Sequence, residues 1–129
     1  MTRKVVSTAA APAAIGPYSQ AIISGSFVFT SGQLGIHPST GELVSDDITE
    51  QVRQVIANLG SILQEAGTSF GNVVKTTVFL TNPDDFPIMN AEYAKHFSKA
   101  HPARSTFFVA QLPKNALVEI EAIAALDTV

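Results

Sequence analysis

The stretch from His101 to Ala124 constrains the fold more than any other. It reads as two strands joined by a turn, dense in apolar and β-branched residues. Yet it holds the charges Arg104, Glu119 and Glu121 where a buried sheet disfavours them. Period-two alternation assigns Arg104, Thr106, Phe108 and Ala110 to one face of the first strand. In the second it assigns Leu117, Glu119, Glu121 and Ile123 to one face, and Val118, Ile120, Ala122 and Ala124 to the other. An arginine and a glutamate facing a common cleft would act as a carboxylate receptor and a proton carrier. A structural ion pair at the end of a sheet uses the same residues, and both readings remain open at this point.

The preceding segments supply the cover such strands need. Arg3 to Ser7 is a short predicted strand, followed by a loop that Pro12, Gly16 and Pro17 keep irregular. Ala21–Ile23 and Phe27–Ser31 form a hairpin across Ser24-Gly25-Ser26. Residues Ser31-Gly32-Gln33-Leu34-Gly35 end that hairpin, and the two glycines permit close backbone approach to a ligand or partner, or simply a turn. His37 to Gly41 is a surface turn. Asp47 with Glu50 has the form of a capping box, and Ile48, Val52, Val55, Ile56, Leu59, Ile62, Leu63 and Ala66 then recur at the helical period up to Gly67. Arg53, Gln54, Asn58, Gln64 and Glu65 fall off that stripe and read as a solvated face.

Asn72 to Thr81 is a strand apolar on both sides, so both sides are covered. Asn82–Asp85 turns into a second helix carrying Phe86, Met89, Tyr93 and Phe97 as core residues, with Asn90 near its first turn. The predicted order is β-β-β-α-β-α-β-β, an α+β mixed sheet with both helices packed on one face. Val118, Ile120, Ala122 and Ala124 suit the helix-covered side. Leu117, Ile123, Phe108 and Thr106 are assigned to the opposite side, too apolar to face water, where another subunit is expected to bury them.

Composition supports an oligomer. The 129 residues suffice for a single domain, 1–129, but only 15% are charged against 46% hydrophobic. An average soluble domain has roughly 25% charged residues, so this chain is short of polar cover. The net charge of −3 and the scattered Lys and Arg offer no basic stripe to track a phosphate backbone, which argues against a nucleic-acid partner. The absence of cysteine removes disulfides, thiolate ligands and a cysteine nucleophile. His37, His96 and His101 lack metal-ligand spacing and read as structural or solvated. No apolar run reaches the ~18 residues of a membrane span. Residues Met1 to Ser7 show no secretory pattern, so the expectation is no membrane partner and a cytoplasmic protein.

Several motifs together resemble one family. Ala13-Ala14-Ile15-Gly16-Pro17-Tyr18-Ser19-Gln20, Thr30-Ser31-Gly32-Gln33, Asn72-Val73-Val74-Lys75-Thr76-Thr77-Val78, Pro102-Ala103-Arg104-Ser105 and Leu112-Pro113 through Glu119-Ile120-Glu121-Ala122 are similar to the RidA/YjgF family over essentially the whole chain. The resemblance implies a chorismate-mutase-like fold assembled as a homotrimer, with ligand clefts between subunits. It implies hydrolysis of reactive 2-enamine and 2-imine acids to 2-keto acids and ammonia, without metal or organic cofactor. Arg104 then matches the residue that binds the substrate carboxylate, and Glu119 the one that positions or activates water. Tyr18, Ser31, Gly32, Asn90 and Thr106 match positions that line the cleft. Thr106 stands where many relatives have Cys, which leaves only non-thiol roles at that position. His37 replaces an acidic residue in a turn remote from the cleft, and the segment before Pro102 is shorter than in some bacterial members.

Two other classes compete with the deaminase. An endoribonuclease or translation inhibitor is a name borne by similar proteins, but the acidic balance opposes it and no histidine pair is set for acid–base cleavage of RNA. A non-catalytic metabolite-binding or chaperone-like protein would use the same arginine or the same apolar surface.

Overall fold

The computed structural model describes residues 3–126. Its elements run β1 (Arg3–Val6), β2 (Ala21–Ser24), β3 (Phe27–Thr30), β4 (Gln33–Leu34), α1 (Ile48–Ala66), β5 (Val73–Leu80), α2 (Phe86–Ala94), β6 (Ala103–Phe108) and β7 (Val118–Ala125). The strands make one mixed seven-stranded sheet in the order β1-β2-β3-β7-β5-β6, with β4 also paired to β7. The α+β order therefore holds with one addition. Gln33-Leu34, read from the sequence as a strand end and turn, is a separate short strand opposite Ile120 and Glu119. β5 and β6 run parallel, joined through α2 as a crossover. The second helix also ends earlier than its apolar spacing suggests, at Ala94, although Phe97 beyond it is still buried.

α1 forms where the apolar period demands it, with Ile48, Val52, Val55, Ile56, Leu59, Ile62 and Leu63 all buried. Asp47 Oδ2 accepts the Glu50 backbone N–H at 3.0 Å, and Gly67 closes the other end with its N–H on Gln64 and Leu63 carbonyls. Asn58 corrects the expected solvated face, because it is fully buried. Its Nδ2 donates to the carbonyls of Leu34 (3.1 Å) and Ile36 (2.9 Å), and Gln54 donates to its Oδ1. Gln51, likewise buried, donates to the Ser45 carbonyl and accepts the Leu117 N–H, each at 2.8 Å. These amides satisfy backbone groups that the sheet ladder leaves unpaired around β4. The helix can come this close because Gly35 has no side chain: a Cβ there would lie 2.8 Å from Gln51 Cα.

A buried charge cluster joins the helices. Glu92 on α2, its side chain 6% exposed, faces Arg53 Nε on α1 at 3.2 Å, with Lys95 Nζ at 3.1 Å and His96 Nε2 at 3.6 Å. Burial pushes the Glu92 carboxyl up, but hydrogen bonds and charges from Arg53 and Lys95 outweigh it and hold the pKa below the ordinary 4.5. A depressed folded-state pKa contributes stability that is present above the unfolded value and lost as pH falls through the folded one. The melting temperature of wild type should thus exceed that of Glu92→Gln most clearly above pH 4.5, and the gap should close on further acidification. Thermal melts of both proteins between neutral and acid pH check this.

Register decides which side chains share a face. Thr76, Val78 and Leu80 of β5 pair with Ala122, Ile120 and Val118 of β7, and all six lie buried beneath the helices. The same three residues pair with Arg104, Thr106 and Phe108 of β6. Thr106 and Phe108 therefore lie on the helix side, not on the open side expected for them. Leu117 precedes β7 and packs partly against the helix-side core. The physical reason is that alternation fixes two faces within a strand, whereas the phase between strands depends on pairing. The open face instead carries Phe27, Phe29, Phe79, Phe107, Glu119, Glu121 and Ile123, with Phe79 and Phe107 stacked at 5.9 Å.

Candidate functional site

The structure gathers the expected site residues into two groups. The first surrounds Arg104, whose side chain leaves edge strand β6 on the helix side. Its Cζ lies over the Tyr93 ring, 5.0 Å from the centroid, and over the Phe86 ring at 5.7 Å. Arg104 takes part in none of the ion pairs among the described residues. Asn90, Tyr93, Ala94, His101, Pro102 and Arg104 line a pocket of about 330 Å³. Asn90 Oδ1 is buried there without a hydrogen-bond partner among the described residues, and Thr106 follows two residues along from Arg104 on the same face of β6. His101 Nδ1 lies 2.6 Å from the Phe97 carbonyl. A carbonyl only accepts, so Nδ1 carries the hydrogen and Nε2 is left for another contact. Ala100, just before it, adopts a left-handed φ of 41°, a strained conformation of the kind found where a neighbouring side chain must be aimed.

The second group centres on Glu119, on the open face of β7. Phe29 pairs with Ile123 and Gln33 with Ile120, so Thr30, Ser31 and Gly32 span a gap that faces only Glu121 and Ala122. This bulge brings the Gly32 backbone against the Glu119 carboxyl. A Cβ at Gly32 would lie 2.7 Å from Glu119 Cδ and closer still to Oε2, so any larger residue would push the Glu119 carboxyl out of its present position. Burial raises the Glu119 pKa above its ordinary 4.5, and the neighbouring Glu121 charge adds to the effect.

Ser31 donates its hydroxyl to the Ser19 carbonyl at 2.5 Å and its N–H to the Gln20 carbonyl at 2.9 Å, fastening the loop that carries Tyr18. Tyr18 is 52% exposed, and with Gly32, Ile15, Leu34, Ile36 and Lys114 it lines a groove of about 640 Å³. Gln20 holds this loop in turn: its Oε1 accepts the Thr8 N–H at 2.7 Å, and its Nε2 donates to the Thr8 and Pro12 carbonyls at 3.0 and 2.8 Å.

Arg104 thus stands with Asn90 and Thr106, and Glu119 with Gly32, on opposite faces of one sheet. Within one chain the arginine and the glutamate therefore share no cleft. One group offers a guanidinium with no carboxylate partner among the described residues, and the other a partly buried carboxyl whose neutral form burial favours. Sequence reasoning treated Tyr93 as core and His101 as structural or solvated, yet both line the Arg104 pocket. The adjacency of His101 to Pro102-Ala103-Arg104, and of Tyr93 to Asn90 one helical turn away, was the available signal. Among the described residues no cluster of three or more His, Cys, Asp or Glu is arranged to hold a metal ion, and no helix is long and apolar enough to cross a membrane.

Known proteins share this arrangement of elements. The chain is 52% identical over 124 residues to the chloroplastic Reactive Intermediate Deaminase A of Arabidopsis thaliana, covering 96% of this chain and 66% of that relative. It is 49% identical over 124 residues to 2-iminobutanoate/2-iminopropanoate deaminase of Bos taurus, covering 96% of this chain and 90% of the relative. The crystal structure of E. coli TdcF with bound serine superposes with a TM-score of 0.92 at 43% identity, covering 96% of this chain and 99% of that one. The family model described as Endoribonuclease L-PSP matches residues 8–126, and on these grounds the chain belongs to that family, the RidA/YjgF proteins.

Proposed function

We propose that the protein hydrolyses short 2-imino and 2-enamine acids, such as 2-iminopropanoate and its enamine 2-aminoacrylate, to 2-keto acids and ammonia. The site is completed between copies of a homotrimer, with the Arg104 group from one subunit and the Glu119 group from the next. The observation that carries this reading is the Arg104 guanidinium, seated on two aromatic rings with no carboxylate partner among the described residues. Such a cation binds a planar carboxylate through two parallel N–H donors. The open sheet face supports assembly, since Phe27 and Phe29 are each 43% exposed and Phe107 is 51% exposed. Relatives named for this activity and one holding a free amino acid support a ligand of that size.

The chemistry asks little of the protein. Protonation of the imine nitrogen makes C2 electrophilic; water adds there, a proton moves from the added oxygen to nitrogen, and the C–N bond breaks to leave ketone and ammonia. Arg104 fixes the acid group, Asn90 and Thr106 border it, and the Gly32 backbone and Tyr18 bound the opposite wall, fastened by Ser31. The Glu119 carboxyl, in its protonated form, lends the proton and recovers it from the added water. Adding the protein to a dehydratase that generates 2-aminoacrylate should speed pyruvate release above the spontaneous rate; an unchanged rate rejects the activity.

The family description favours a ribonuclease reading as the alternative. His37 is bonded to Ser39, His96 lies against Glu92 and His101 is held by Phe97, so each histidine belongs to a separate local network. RNA cleavage that persists through purification and disappears in a Glu119 or Arg104 variant would favour that alternative.

A further inference from the structure

Thr76 is fully buried on the helix side of β5 and pairs across the sheet with Arg104. Its Oγ1 lies 2.7 Å from the Tyr93 hydroxyl, and Tyr93 is itself 6% exposed. Buried hydroxyls need partners, and these two satisfy each other. The bond anchors the Tyr93 ring to the strand beside Arg104, and the guanidinium lies over that ring at 5.0 Å. An arginine stem loses rotamer freedom each time it captures a ligand unless something already holds it. A carboxylate neighbour would hold it but would compete with the substrate for the same N–H groups. An aromatic face holds the cation and leaves those donors unspent.

We infer that Tyr93 is a positioning residue for substrate capture: Thr76 anchors its hydroxyl, and its ring holds the Arg104 guanidinium ready for the substrate carboxylate. This rests on the assignment of Arg104 as carboxylate receptor, so the test includes a variant that addresses that assignment alone.

The experiment is steady-state hydrolysis of 2-iminopropanoate by wild type, Tyr93→Phe, Thr76→Val, their double variant, Tyr93→Leu and Arg104→Ala, each with its melting temperature measured. Tyr93→Phe and Thr76→Val should each raise KM about 5-fold, with kcat within about 2-fold of wild type. The double variant should be no worse than either single one, because both remove one shared bond. Tyr93→Leu should raise KM about 30-fold by removing the ring, and the retained ring in Tyr93→Phe should rescue most of that loss. A purely structural role predicts lower melting temperatures with unchanged KM. Wild-type KM in folded Tyr93→Phe and Thr76→Val, beside a raised KM in Arg104→Ala, overturns the positioning role alone. An unchanged KM in Arg104→Ala overturns the receptor assignment and this inference with it. Should Tyr93→Leu fail to fold, the two conservative variants still decide.

Discussion

Arg104→Ala should lower kcat/KM for 2-iminopropanoate by a factor on the order of 1000, the cost of leaving a desolvated carboxylate without its cation. Both constants should suffer. KM rises because the acid group loses its anchor, and kcat falls because the imine carbon is no longer held at the correct angle to water. Arg104→Lys should recover only part of the loss, since an ammonium keeps the charge but not the fork that matches two oxygens. The melting temperature should fall only modestly, because Arg104 makes no ion pair among the described residues and loses only its contacts with the Tyr93 and Phe86 rings. Steady-state kinetics with calorimetric melting checks both halves. A variant retaining wild-type kcat/KM would remove Arg104 from the site.

The second large effect belongs to Glu119→Gln. Glutamine keeps the size that fits beside Gly32 but cannot exchange a proton, so kcat should fall about 100- to 10,000-fold with KM nearly unchanged. Retained binding of a 2-keto acid with lost turnover separates an enzyme from a binding module. Burial and then Glu121 favour the neutral form of Glu119, so its protonated fraction above pH 4.5 exceeds that of a free glutamate. With the acid form active, wild-type kcat declines as pH rises through the Glu119 pKa. Glu121→Gln removes one of the two causes and should move that decline to lower pH. A decline at the same pH in both proteins would take Glu119 out of the proton transfer.

The sequence and the fold agree where local rules suffice. The apolar period of α1, the Asp47 cap and the hairpin around Gly25 follow from short-range physics, and the structure has all three. The alternation of Val118, Ile120, Ala122 and Ala124 against Glu119, Glu121 and Ile123 was equally legible, because β7 is central and covered on one side. What alternation could not supply was phase between strands. Arg104 and Glu119 each sit on a well-defined face, and only the parallel register of β5 with β6 separates them. Asn58 and Gln51 escaped for a related reason: an amide on a helix flank is solvated unless a glycine lets a strand end reach it, as Gly35 does. Tyr93 was read as core and is core. Its hydroxyl and its ring face carry the second role, and composition is blind to both.

The separation of Arg104 from Glu119 in one chain makes assembly the central claim, and subunit mixing tests it most directly. Arg104→Ala and Glu119→Gln proteins, each inactive alone, are dissociated, combined in equal amounts and reassembled. If each site takes its arginine from one copy and its glutamate from the next, random exchange in a ring gives about one quarter of sites both native groups, and activity returns to about that fraction of wild type. No recovery in mixed assemblies whose exchange is verified by mass would mean that both groups act within a single chain, and would contradict the account.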